Sequence, residues 1–367
     1  MPAGKCVAIT KESAPLDGLT AQRLFQTKTQ TRISIFNMAE VSKSSVTQAI
    51  ISEDEQGQRL DNFLLKICKG VPKSHIYRIV RSGEIRINSK RAEVSYRLQN
   101  GDILRIPPIR IARRQEEIVA GAEIKVALPI VYEDEAMLVV DKPSGIAVHG
   151  GSGVSFGVIE ALRRQRPQAH FLELAHRLDR ETSGILLVGK KRSALTALHD
   201  MFREGGLAGR GRGVDKRYLV LVKGRWPDQV RNVKLPLLKY LLESGERRVR
   251  VSDEGKASHT VFRLIARWEQ FSLLEAELKS GRTHQIRVHM HSIGHPLVGD
   301  PVYGGKPRKT REIIGQILLN FPRQALHAQK LSLTHPQTEK IVHWEADVPD
   351  DMDNLLQMIR QHCEEEI

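Results

Sequence analysis

The chain has 367 residues, 40% of them apolar, which is enough for two or three domains with cores of their own and excludes a wholly disordered protein. Its 57 Lys and Arg against 43 Asp and Glu leave a formal charge of +14, pointing to a polyanionic partner, with nucleic acid favoured over an acidic membrane face. No stretch approaches the ~20 apolar residues that span a bilayer, the start lacks a signal pattern, and Cys6, Cys68 and Cys363 are scattered, so a cytoplasmic chain with reduced thiols is expected.

Residues 1–54 are rich in Lys, Thr, Ser and Gln without a sustained period, and read as a disordered extension. Met38 stands as an alternative initiator, a reading that a native mass including residues 1–37 would end. From Gly57 the text changes. Leu60, Phe63, Leu64 and Ile67 fall at helical spacing, and a second helix runs from Pro72-Lys-Ser74 to Gly83. Ile85–Ile87 and Ile103–Ile106 alternate apolar with basic, with turns at Asn88-Ser89 and Asn100-Gly101-Asp102, and Pro107-Pro108 stops the pairing.

From residue 55 to 115 there are fourteen Lys and Arg against five acids, more than a solvated surface requires. Arg59-Leu-Asp61, the Ser74-to-Arg81 helix and Ile85-Arg-Ile87-Asn88 resemble the α-L RNA-binding module of the ribosomal S-four type, here over residues 55–109. That resemblance implies RNA against the second helix and the following turn, with Lys73, Ser74, Tyr77, Arg78, Arg81 and Lys90 as contacts. Such contacts give mainly sequence-independent phosphate attraction that salt weakens steeply.

Residues 110–127 are charged and aperiodic and read as a linker. Beyond it, Val131 to Glu135 leads into a buried strand at Met137–Val140 that ends in Lys142-Pro-Ser-Gly145. His149-Gly-Gly-Ser-Gly153 lacks the Lys-Ser/Thr of a phosphate-cradling P-loop. An amphipathic helix over 156–166 stops at Pro167, and another carries Ala194, Leu195, Leu198 and Phe202 before an irregular Gly/Arg loop at 205–213. Between them, His176-Arg-Leu-Asp179-Arg-Glu-Thr-Ser-Gly184 runs straight into the apolar strand Ile185–Val188. Asp179 lies between Arg177 and Arg180, whose charges would keep a carboxylate ionised as nucleophile or base. The spacing is equally compatible with an Asp that caps a turn and pairs with Arg177.

The run His176 to Gly184 resembles the HRLDxxTSG signature of the RluA family of RNA pseudouridine synthases. The resemblance implies that Asp179 acts on the target nucleotide and that Arg177 fills the space of the flipped-out uridine. Tyr218, in Lys216-Arg-Tyr-Leu-Val-Leu-Val222, would by the same resemblance stack on the uracil ring and take part in proton removal. Gly281-Arg-Thr-His-Gln-Ile-Arg287 matches a further family motif, so Arg287 would pair with Asp179, Ile286 would pack against the base, and Arg282 is a candidate phosphate contact. Lys142-Pro-Ser-Gly145 reads as a structural support for the site.

Ser244-Gly-Glu-Arg247, Val249-Arg-Val-Ser252 and Glu254-Gly-Lys-Ala-Ser258, in a segment dense in bases, narrow the resemblance to the RluC branch, which acts on 23S ribosomal RNA of the large subunit. Strands are expected at 258–265, 271–278 and 330–333, a helix capped by Thr283, and a last helix through Leu355, Met358 and Ile359 before a solvated Glu-Glu-Glu end. His284, His291 and His295 invite a metal reading, but no Cys or carboxylate ligand is interspersed until Asp300, and hydrogen bonding and packing suit them better.

The expectation is an α+β chain, with a mixed, mainly antiparallel catalytic sheet over 128–350, an appended RNA-binding module, and a C-terminal tail at 351–367. It would isomerise uridines as a monomer away from membranes, with no metal or other cofactor. The competing readings are a non-catalytic RNA-binding assembly factor and a metal-dependent RNA hydrolase that uses the histidines.

Overall fold

In the computed structural model the described residues are 46–68, 71–109, 127–150, 156–204, 213–305 and 321–366. The linker reading at 110–127 and the Gly/Arg loop at 205–213 fall almost wholly outside them, as do residues 1–45.

The N-terminal part consists of β1 (Thr47–Ile50), α1 (Leu60–Ile67), α2 (Lys73–Arg81), β2 (Arg86–Ile87), β3 (Lys90–Arg91) and β4 (Ile103–Ile106). Its antiparallel sheet has the order β1-β4-β2-β3, so β1, within the stretch read as an extension, closes one edge. The apolar faces of the two helices bury Leu60, Phe63, Leu64, Ile76, Ile79 and Val80 against Ile85, Ile87, Leu104 and Ile106. The two-residue turn Asn88-Ser89 has φ of 49° and 67°, the positive pair that matches the twist of a tight hairpin. Asp102 staples this turn region by accepting from Asn88 Nδ2 at 2.8 Å, the Tyr96 hydroxyl at 3.0 Å and the Gln99 amide at 2.8 Å.

The larger part runs β5 (Ile130–Glu133), β6 (Met137–Lys142), α3 (Val158–Gln165), β7 (Glu173–Leu174), β8 (Ser183–Gly189), α4 (Arg192–Glu204), β9 (Asp215–Lys223), β10 (Val230–Val233), β11 (Leu237–Leu241), β12 (Arg247–Val251), β13 (Thr260–Trp268), β14 (Phe271–Leu278), α5 (Gln285–Ser292), β15 (Leu326–Thr334), β16 (Ile341–Glu345), α6 (Asp350–His362) and β17 (Glu365–Glu366). Eleven strands form one sheet, with the main order β10-β13-β14-β9-β15-β8-β6-β5 and with β16, β17 and β7 added on β15, β13 and β8. Near the end of the chain, residues 365 and 366 add a short antiparallel edge to β13. Strands β11 and β12 form a separate two-stranded ribbon.

The unbroken apolar run of β8 follows from covering both faces of the sheet. Leu186 and Val188 share one core with α3 and with Ile286 and Met290 of α5, while Ile185 and Leu187 share another with α4. Further along the sheet, Leu219 and Leu221 of β9 pack against Met352 and Leu355 of α6. The one parallel pairing among the described strands is β8 with β15, in the register Ser183 to His327 and Gly184 to Ala328. There the backbones crowd together: Gly184 has φ of 109°, and a Cβ on it would lie 2.2 Å from the Ala328 carbonyl oxygen. The strand thus starts at a point where only glycine fits, and the loop bearing Asp179 leads directly into it.

The two parts touch. Arg192 donates to the Asp54 carbonyl at 2.8 Å and to Gln58 Oε1 at 3.2 Å, and Lys66 lies 3.9 Å from Glu173.

Candidate active site

The loop between β7 and β8 is short of regular structure, so its backbone polar groups need partners from elsewhere. Lys142, whose side chain is wholly buried, donates to the carbonyls of Pro143 at 2.8 Å, Ile146 at 2.9 Å and Arg180 at 3.0 Å. The same Arg180 carbonyl accepts the Gly145 amide at 3.0 Å. Burial pulls the Lys142 pKa down to about 7. Gln324 Nε2 donates to Thr182 Oγ1 at 3.2 Å, and Ser183 Oγ lies 3.0 Å from His327 Nδ1. His176 accepts the Leu187 amide at 3.1 Å on Nε2 and packs on Phe202. Burial carries its pKa to about 3, so the ring stays neutral and braces the loop.

On this loop Asp179 presents a carboxylate that remains about a quarter exposed, and Arg287 Nη1 donates to its Oδ2 at 3.0 Å. The flanking arginines do not hold it. Arg180 turns to Glu181 at 2.8 Å, and both Arg177 and Arg180 are exposed. The charge partner comes from 108 residues away because α5 packs its N-terminal turn against the loop. Arg287 is itself clamped. Its Nε and Nη2 donate to Asp300 Oδ2 at 2.7 Å and Oδ1 at 2.9 Å, and Asp300 Oδ1 also accepts the amides of Val302 and Tyr303. Burial alone would raise the Asp300 carboxyl, but the guanidinium and the two amides carry it below the usual carboxylate value. Burial would likewise lower Arg287, yet Asp300 and Asp179 together raise it, so the guanidinium is permanently charged.

A cavity of about 910 Å³ opens over this cluster, lined by Arg177, Asp179, Tyr218, Ile286, Arg287 and Arg282 among others. Tyr218 and Ile286 form its apolar floor, 8% and 4% exposed. Burial, and then the charge of Asp179, push the Tyr218 phenol up, so it stays protonated near neutrality. Arg282 is exposed at the rim and donates to the Ala257 carbonyl at 3.2 Å. The rim is strongly positive. Lys239 of the ribbon is held below the usual lysine value by burial and then by the neighbouring Arg177, Lys256, Arg247 and Arg282. Lys216, with its ammonium 5.4 Å from the Phe202 ring centre, adds a nearly buried cation whose pKa burial lowers to about 8.

Thr283 does not cap α5. The N-cap is His284, in a left-handed conformation, and the nearby Arg282 amide is satisfied by Gln285 Oε1 at 3.0 Å. His284 and His291 both pack on the Tyr303 ring, while His295 Nδ1 lies 3.1 Å from the Lys223 carbonyl. Among the described residues no group of three His, Cys, Asp or Glu is arranged to hold a metal ion. Asp300 and Lys216 were not singled out from the sequence. Asp300 lies in a turn-rich loop that reads as structural, and only the need of a buried guanidinium for a second carboxylate would have pointed to it.

Five of the six residues expected to contact RNA in the N-terminal part share one surface. Lys73, Ser74, Tyr77, Arg78 and Arg81 line a shallow concavity on α2, and Lys90 is exposed on β3 outside it. The Tyr77 hydroxyl donates to Asp61 Oδ2 at 2.8 Å, and Arg59 chelates the same carboxylate at 3.1 and 2.9 Å, so this tyrosine offers its ring face and not its hydroxyl. Lys73 and Arg81 lie over that ring at 5.3 and 6.0 Å.

A carboxylate, a guanidinium and a tyrosine thus meet around an open cleft on a mixed sheet. A sequence model of RNA pseudouridylate synthases matches residues 136–292, and one of the S4 domain matches residues 58–104. The chain belongs to the RNA pseudouridylate synthase family. Among curated proteins it is 51% identical over 319 residues to "Ribosomal large subunit pseudouridine synthase C" of Escherichia coli O157:H7, covering 86% of this chain and 97% of that one. The protein of the same description from Pasteurella multocida (strain Pm70) is 48% identical over 325 residues, covering 88% and 96%. Among solved structures, "Human RNA Pseudouridylate Synthase Domain Containing 4" shares the fold, with TM-score 0.51 and 23% identity over 65% of this chain and 94% of that one.

Proposed function

We propose that this enzyme converts uridines of 23S ribosomal RNA in the large subunit to pseudouridine, with Asp179 as the acting carboxylate. The observation that carries the reading is the Asp179–Arg287 pair at 3.0 Å, open to a cleft whose floor is Tyr218 and Ile286. The relatives that carry the large-subunit description span 86–88% of the chain, which supports the same target class.

In this reaction the bond from the sugar C1′ to uracil N1 breaks and a bond from C1′ to C5 forms. The C5 proton leaves and N1 gains one, so the composition of the RNA is unchanged. Asp179 can attack the sugar, add to the ring, or take a sugar proton on the way to a glycal, and each route needs the ionised carboxylate that Arg287 holds in place. The target base must first leave its stack, at a cost of a few kcal/mol. Arg177, exposed at the mouth, is suited to fill the vacated space, and the Tyr218 ring to stack on the uracil. Because its phenol is protonated, Tyr218 serves as a surface and hydrogen-bond donor and not as a phenolate base. Arg282 and the cations of α2 supply phosphate attraction, with residues 55–109 as the binding module and 128–350 as the catalytic part.

Asp179→Asn is expected to bind a 23S fragment as the wild type does while forming no pseudouridine, read by pseudouridine-specific chemical tagging. Normal product from that variant would defeat the proposal in favour of a plain RNA-binding role. Chelator-sensitive strand cleavage would favour a hydrolase instead.

A further inference from the structure

Arg287 touches one oxygen of Asp179, and a second group faces the other. His284 Nε2 stands 3.8 Å from Asp179 Oδ1, with its side chain about four-fifths buried. Its φ of 52° lies in the left-handed region, a conformation that persists in a non-glycine residue only where its surroundings enforce it. Those surroundings can be traced atom by atom. Nδ1 of His284 is 2.9 Å from the Tyr303 hydroxyl, and that hydroxyl oxygen accepts the backbone N–H of Val249 in β12 at 3.1 Å. The Val249 hydrogen takes one lone pair of this oxygen, and among the described residues His284 Nδ1 is the acceptor within reach of the hydroxyl's own proton. Burial holds the His284 pKa below the usual imidazole value, so at neutral pH one ring nitrogen carries a hydrogen. With Nδ1 accepting, that nitrogen is Nε2, the one turned to Asp179.

We infer that His284 is a positioning residue for the isomerisation: locked as the Nε2–H tautomer by Tyr303, it donates to Asp179 Oδ1 once RNA fills the cleft. The inference rests on Asp179 being the acting group. An approach of about 1 Å turns the present contact into a hydrogen bond of ordinary length, and such contacts commonly tighten when substrate is bound. Arg287 on one oxygen and His284 on the other then fix the plane of the carboxylate and leave only its remaining lone pairs to the substrate. The chain of contacts begins on the ribbon β11–β12, whose Lys239 lies close enough to Arg177 and Arg282 of the cleft to feel their charge, so the ribbon and Asp179 are joined through Tyr303 and His284.

The test uses variants that separate reach from backbone shape. Asn tolerates the left-handed conformation but is one bond too short, whereas the Gln amide nitrogen lies as many bonds from Cα as His Nε2. His284→Asn should lower kcat about 10- to 100-fold with KM for RNA unchanged, the size expected for losing a hydrogen bond to a charged group. His284→Gln should restore most of that loss, and Tyr303→Phe should lower kcat by roughly a few-fold by freeing the tautomer. Wild-type kcat in His284→Asn, or a Gln variant as slow as the Asn variant, would overturn the inference. Asp179→Asn assayed beside them tells the two levels apart: if it is inactive while His284→Asn is normal, only the role of His284 falls, and if it forms product the underlying reading falls with it.

Discussion

The cations of α2 and the cation beside Asp179 do opposite work because their surroundings differ. Lys73, Arg78 and Arg81 are exposed on one helical face, where charge acts at a distance and salt screens it. Arg287 is 5% exposed and spends its donors on two carboxylates, so it fixes geometry and contributes little long-range attraction. The same residue types are thus placed to attract a polyanion in one region and to orient one carboxylate in the other, and burial decides which.

Substitutions that remove one charge from each region should break this contrast in opposite ways. The largest effect is expected from Arg287→Gln, which leaves Asp300 buried without its partner: stability should fall by about 3–5 kcal/mol. Single-turnover rate should drop at least about 100-fold with RNA affinity nearly intact. Thermal unfolding and rapid-quench kinetics check the two parts, and a loss confined to affinity would show that Arg287 belongs with the attracting cations. Asp300→Asn keeps the volume but weakens the anchor, so kcat should fall about 10- to 100-fold through a loosened guanidinium.

On the other side, Lys73→Gln with Arg81→Gln should weaken RNA binding roughly 5- to 10-fold near 0.1 M salt and reduce the log–log salt slope by about 1.5. Saturating turnover should not change. A turnover defect in that double variant would mean that α2 shapes the bound RNA at the cleft.

The smallest effect concerns the footing of the tyrosine on α2. The hydrogen bond from Arg59 holds the Asp61 carboxyl down to about 2, against the opposing effect of burial and with help from the Tyr77 hydroxyl. Its folded pKa lies below its unfolded value, so this stabilisation is complete above about pH 4 and is lost as pH falls through about 2. Asp61→Asn should flatten that acid-side slope, seen as faster hydrogen exchange in α1 already at neutral pH.

Much of this was legible in the chain itself. The run ending in Ile185–Val188 reads as a strand covered on both faces, and the motifs around Asp179, Tyr218 and Arg287 bring the lining of one cleft to notice across more than a hundred residues. What escaped were contacts that depend on which elements pack together. Arg177 and Arg180 look like the partners of Asp179 because they are adjacent, yet adjacent side chains diverge from a loop; the family motif alone pointed to Arg287, the guanidinium that α5 carries to the carboxylate. The capping rule selected Thr283 for its hydroxyl, whereas the residue that precedes the helix is His284 in a left-handed conformation, and the Gln285 side-chain oxygen accepts the Arg282 N–H. Thr47–Ile50 is too short and too polar to announce a strand, and it forms one because β4 offers an open edge.

The close approach at Gly184 also limits how this enzyme can change. A methyl group there would collide with the Ala328 carbonyl and prise β8 from β15 at the foot of the loop that carries Asp179. Activity can therefore be lost through a substitution that touches neither RNA nor any charged group, by a shift of the floor on which the chemistry stands. A survey of inactive variants would find damage at a residue that has no side chain to contribute.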